Sequence, residues 1–153
     1  MIQIETLGAE NLTEGDHFLT YLNGDTRFVF TYEAKSVQFL TEVSKTVLYD
    51  MAMKLIRKFE SFKVTPFGVE AENVVAFQFS KDRSQVDIKK MPVQSLDTIE
   101  KTSFPAAVFY KEFTSAYEHF LKPIAKAEKA EDEIPREVVQ MREILDLLKE
   151  QSA

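Results

Sequence analysis

His17 and His119 are the only imidazoles in this chain, and there is no cysteine. A nucleophile–histidine–acid triad would have to use one of them, but no serine sits in the glycine-flanked setting that a nucleophile elbow needs. No helix face carries two histidines, so a zinc site of the His-Glu-x-x-His kind is absent. Lack of cysteine removes disulfides, thiolate metal sites and a cysteine nucleophile, and it suits a reducing, cytoplasmic setting. The four glycines are scattered. Neither phosphate-cradling glycine loop can be built from them, because such loops need backbone angles that other residues adopt poorly. The calcium-loop pattern is missing too. No catalytic residue, cofactor or metal ion is therefore expected, and the chain reads as a non-enzyme.

Two groups of charged residues could still do chemistry. Asp87-Ile88-Lys89 lies on a predicted strand, with Glu70, Glu72 and Asp82 upstream. The pattern resembles the acidic-x-Lys strand of metal-dependent nucleases, and the resemblance implies carboxylates holding magnesium while the lysine positions or activates water. The plainer reading is an alternating strand with Gln85, Asp87 and Lys89 on its wet side. The second group is Lys45, Lys54, Arg57, Lys58 and Lys63, a basic face on a long predicted helix. It could contact phosphates, although Glu42, Asp50 and Glu60 dilute it. A net charge of −6 argues against a wholly nucleic-acid-binding surface. A nucleic-acid-associated protein, with nuclease activity as its extension, is the alternative function.

The strongest signal is apolar. Ile134, Val138, Met141, Leu145 and Leu148 recur at helical spacing after Pro123, the charged run Lys126–Glu133 and Pro135. Val139, Ile144 and Leu147 widen the stripe. Such a face must be covered by its own domain, a second copy or a partner, and two heptads are too short for a free coiled coil. A second aromatic stripe, Phe104, Phe109, Tyr110, Phe113, Tyr117 and Phe120, reads as core packed on a sheet, or else as the lining of a ligand pocket. Tyr110 points away from the stripe's centre and is the expected interfacial aromatic.

The elements that must carry these residues follow from period and punctuation. Ile2–Leu7 alternates like a short strand. His17–Leu22 and Thr26–Glu33 flank Asn23-Gly24-Asp25, a hairpin signal. A helix is expected over about 36–62, starting near Ser36 or Thr41, from Leu40, Val43, Val47, Met51, Leu55, Phe59 and Phe62. Asn73–Phe79 and Ser84–Lys89 form a second predicted hairpin. Ser103 as N-cap and Pro105 in the first turn open a helix that Pro123 ends or kinks.

The 153 residues, 44% of them hydrophobic and 29% charged, suit one globular domain plus an appendage. The N-terminus shows no secretory signal, no stretch of the chain approaches a membrane span, and no membrane partner is expected. The expected fold is α+β: an antiparallel sheet of about five strands from two hairpins, covered by two long helices. Residues 1–125 would form the domain, 126–133 a charged linker or helix extension, and 134–151 an amphipathic C-terminal helix. The function expected is a non-catalytic protein-protein interaction module, an assembly component, adaptor or inhibitor. Its partner, or a second copy, would dock on Ile134, Val138, Met141, Ile144, Leu145, Leu148 and Tyr110.

Overall fold

In the computed structural model, residues 1–7, 24–95, 97–128 and 136–152 are described. They form, in chain order, β1 (Ile2–Thr6), β2 (Thr26–Tyr32), β3 (Lys35–Thr41), α1 (Ser44–Ile56), β4 (Ser61–Val64), β5 (Asn73–Phe79), β6 (Gln85–Pro92), β7 (Glu100–Pro105), α2 (Ala106–Glu128) and α3 (Arg136–Ser152). The fold is α+β. Its seven described strands make two antiparallel sheets, β1-β2-β3 and β4-β5-β6-β7, rather than one sheet of about five.

Period-2 segments at both ends of the expected long helix account for much of the difference. Val43 (φ 53°) and Lys58 (φ 56°) adopt left-handed backbone and confine α1 to Ser44–Ile56. Before the break, Val37, Phe39 and Thr41 point inward from β3; after it, Phe62 and Val64 point inward from β4. Likewise Ser103 is not an N-cap. It lies in β7, where its hydroxyl donates to Asp87 Oδ1 at 2.6 Å, and Pro105 is the last residue of that strand. Pro123 neither ends nor starts an element but lies inside α2.

The second predicted hairpin is present, with β5 and β6 paired from Asn73↔Pro92 to Phe79↔Val86. The first is not formed by β2 as expected. Both edges of β2 are taken, by β1 (Ile4↔Phe28) and β3 (Phe28↔Phe39), while His17–Leu22 lies outside the described residues. The β2–β3 connection is the two-residue turn Glu33-Ala34, with φ of 50° and 66°. Positive φ at both positions is the type I′ geometry that Asn-Gly normally supplies. Non-glycine residues there carry a steric cost of roughly 1–2 kcal/mol each. The double variant Glu33→Asn/Ala34→Gly is therefore expected to raise unfolding free energy by about 1 kcal/mol in a urea titration. An unchanged or lowered midpoint would show that the native turn is unstrained.

The core is an aromatic cluster centred on Phe109, which is fully buried. Its ring meets Phe30 of the first sheet at 6.2 Å and Phe77, Phe79 and Phe104 of the second at 6.1, 6.3 and 5.7 Å. Most of these contacts are edge-to-face, the arrangement favoured by ring quadrupoles. Helix α2 thus joins the inner faces of both sheets. Phe113, Tyr117 and Phe120 continue that buried stripe toward α3.

Candidate functional site

The C-terminal helix is part of this core. Val138, Met141, Ile144 and Leu148 are buried against α2 and α1, and Leu145 packs beside them half-buried. Tyr117 donates its hydroxyl to the Met141 carbonyl oxygen at 2.8 Å, and burial pushes that hydroxyl's pKa well above the usual tyrosine value. Gln151 Nε2 donates to Ile56 O at 2.7 Å. The stripe expected to dock on a partner is thus occupied within the chain, and Ile134 lies outside the described residues. Tyr110 is also engaged internally: its hydroxyl donates to Leu55 O at 3.1 Å and accepts from Arg83 Nη2 at 2.9 Å. Arg83 stacks 4.3 Å over Phe79 and donates to Lys58 O, so this pair ties the end of α1 to the second sheet.

The expected basic helical face is dispersed. Lys45 and Lys54 are on α1, Arg57 and Lys58 lie in the turn after it, and Lys63 is on β4. Lys54 pairs with Asp50 at 3.0 Å and lies over the Phe62 ring. The carboxylates expected near Asp87 are no closer to a metal site. Asp82 sits in the β5–β6 turn, where the Ser84 and Ser80 side chains and the Ser84 backbone N–H hold its carboxyl down at about 2. Glu70 is turned to Lys90. Among the described residues, no three His, Asp or Glu side chains are grouped to hold a metal ion. His119 is exposed on α2, and His17 lies outside the described residues.

Where the sheets meet there is a cleft of about 350 Å³, lined by Arg27, Gln38, Leu40, Glu70, Ile99 and Glu100, with Lys90 beside them. Lys90 is 8% exposed. Its ammonium donates to Gln38 O at 2.9 Å and to Glu70, and lies 3.7 Å from Glu100. The two carboxylates in turn accept from the outward N–H groups of β3, Glu100 from Gln38 and Glu70 from Leu40. Each ammonium hydrogen thus has an acceptor at hand, so the lysine is committed to structure. Together the three side chains close the unpaired edge of β3, which would otherwise be a template for another strand.

A different surface is left open by the described residues. Burial alternates along β4, β6 and β7, so Lys63, Lys89 and Lys101 face outward from the second sheet. The register sets them in one row: Lys63 opposite Ala76, Ala76 opposite Lys89, Lys89 opposite Lys101. Directly opposed Cβ atoms lie about 4.5–5.5 Å apart, and like charges there are destabilising. Among the described residues, none of the three has a carboxylate within ion-pair distance. Asp87, in the next row, is the acidic neighbour and is bonded to Ser103. On the other side of the lysines half-buried Met91 lies opposite buried Val74, and Val93 and Ile99, at the strand ends, are 53% and 54% exposed. Val69, in the adjoining β4–β5 turn, is 81% exposed.

Strand alternation places Lys89 on the wet side, as read from the sequence. Lys101 belongs to no predicted strand, so the row could not be assembled from sequence. The same alternation, carried one step past Ile88, was a signal for Lys90 pointing inward. Among the described residues no helix is long and apolar enough to cross a membrane. No family model, curated protein or solved structure matches the chain.

Proposed function

We propose that the chain is a non-catalytic protein-binding module, and that its docking surface is the outer face of the second sheet. The observation that carries this reading is the segregation on that face. A lysine row without ion pairs among the described residues lies beside Met91, with exposed Val93 and Ile99 at the ends of the same strands. Interaction surfaces are marked by clustered apolar exposure with a polar rim, whereas apolar residues exposed singly, such as Val139 and Leu147 on α3, carry no such meaning.

The test is site-specific photo-crosslinking in an extract of the source cell, with a benzophenone side chain at Ile99 or at Val139. A discrete adduct from position 99 is expected, competed away by the unlabelled chain but not by unlabelled Met91→Asp/Ile99→Asp. Equal labelling from both positions, or no competition, would remove the proposal.

A further inference from the structure

Resting on that reading, we infer that the partner presents an acidic amphipathic helix, which lays its carboxylates on Lys63, Lys89 and Lys101 and its apolar side on Met91, Val93 and Ile99. Charge is the first argument. Two lysines face each other across β6 and β7, and a third lies in register on β4. The isolated sheet bears the repulsion of this arrangement, and an anionic ligand relieves it. A chain of net charge −6 that keeps this row free of ion pairs among its described residues concentrates positive potential at one place.

The apolar border decides between classes of anion. A sheet that binds single-stranded nucleic acid uses exposed aromatic rings to stack bases. Among the described residues the outward strand positions beside the lysines carry no ring: they are half-buried Met91 on one side and Gln78, Asp87 and Ser103 on the other, while exposed Phe59 and Phe67 lie off the strands, before β4 and in the β4–β5 connection. Aliphatic surface beside cations matches leucine-type side chains beside carboxylates. Ala76, the short side chain between Lys63 and Lys89, leaves a shallow floor on which a partner's backbone can approach.

Spacing fits a helix. With strands about 4.8 Å apart, Lys101 lies roughly 5 Å from Lys89, and Lys63 roughly 10 Å beyond on the other side. Carboxylates three or four residues apart on a helix are about 5–6 Å apart, and those seven apart are roughly 10.5 Å apart. Acidic residues at positions i, i+7 and i+10 or i+11 therefore meet all three lysines.

The experiment is fluorescence anisotropy with the full chain and three labelled probes. The first is a designed helical peptide about 18 residues long with a leucine stripe flanked by glutamates. The second has glutamine for every glutamate, and the third is an oligothymidine of similar length. The glutamate peptide is expected to bind about tenfold more tightly than the glutamine peptide. That advantage should collapse from about 0.1 M to about 1 M salt, where the screening length falls from about 10 Å to about 3 Å. Lys89→Gln/Lys101→Gln, which removes the opposed charges, should lower the affinity about tenfold while its thermal midpoint stays at or above that of the parent; Lys45→Glu/Lys58→Glu, away from the face, should change nothing.

Equal binding of the glutamine peptide, lost in Ile99→Ser, would overturn the acidic helix while leaving the face a protein-docking surface. Tighter binding of the oligonucleotide would overturn both. Salt-sensitive self-association of the chain, abolished by Lys89→Gln/Lys101→Gln, would mean that a second copy fills the face, and absence of binding by any probe would also sink the inference.

Discussion

A chain ending at Glu128 is expected to lose its cooperative unfolding transition. Four side chains of α3, Val138, Met141, Ile144 and Leu148, are at most 5% exposed. Burying each of them stabilises by about 1.5–3 kcal/mol relative to exposure, so the helix contributes on the order of 6–12 kcal/mol before its ordering entropy is charged. That is the size of a typical net stability, about 5–15 kcal/mol. The truncation also strips the cover from Tyr117 and Leu121 and removes the Met141 carbonyl that accepts from Tyr117. Circular dichroism during a urea titration checks this. A truncated chain that unfolds at the midpoint of the full one would show that α3 is dispensable. Within the full chain, Leu148→Ala should cost about 2–5 kcal/mol, whereas Leu147→Ala, on the solvent side, should stay within about 0.5 kcal/mol.

Lys90→Met is the second change with a large expected effect, about 3–5 kcal/mol of lost stability. Methionine fills much of the same volume, so the loss reports charge and hydrogen bonding rather than a cavity. Without the ammonium, Glu70 and Glu100 face each other with no cation between them, and Gln38 O loses its donor. The carboxylates are also the acceptors for the β3 N–H groups of Leu40 and Gln38, so they cannot turn to water without opening that edge. The triple variant Lys90→Met/Glu70→Gln/Glu100→Gln should recover part of the loss, since no charge then stands unpaired. Urea titration of the parent, the single and the triple variant gives the ordering. A single variant as stable as the parent would show that the triad contributes nothing to holding the edge.

The parts of the fold legible in the sequence are those whose period is unbroken and whose ends are marked. In β5 and β6, inward Val75, Phe77, Phe79, Val86 and Ile88 alternate with outward residues around a turn of Ser80–Ser84. Helix α3 shows its buried face as a plain three-and-four repeat. Residues 37–64 misled because three elements abut without glycine or proline. The helical spacing of Val47, Met51 and Leu55 runs on into strand spacing at Phe62 and Val64. The breaks are made by Val43 and Lys58 in left-handed backbone, which neither residue type announces. The Glu33-Ala34 turn lacks a hairpin signature for the same reason.

The candidate face was legible only in half. Gln85, Asp87 and Lys89 were on the wet side of a predicted strand, but a row across strands depends on register. The register of β6 with β7 is set by inward Val86, Ile88, Thr102 and Phe104. Residues 100–105 contain too few apolar positions to read as a strand alone. The α3 stripe drew attention as a docking surface because apolar periodicity shows that a face is covered and not by what. The cover is Tyr117, Phe120 and their neighbours on α2, residues whose own stripe was already visible.

The position of Phe109 has a consequence for the order in which this chain becomes structured during synthesis. The first sheet is complete at Thr41, yet Phe30 finds its α2 partner only when Phe109 arrives, and β1 packs on α2 as well. At about 5–20 residues per second, the roughly 80 residues between Thr41 and Leu121 take about 4–16 s to make. Throughout that interval the inner face carrying Phe28, Phe30 and Phe39 lacks its helix. The nascent N-terminal third is therefore the stretch on which ribosome-associated chaperones have most to protect, and folding of the whole waits on its C-terminal half.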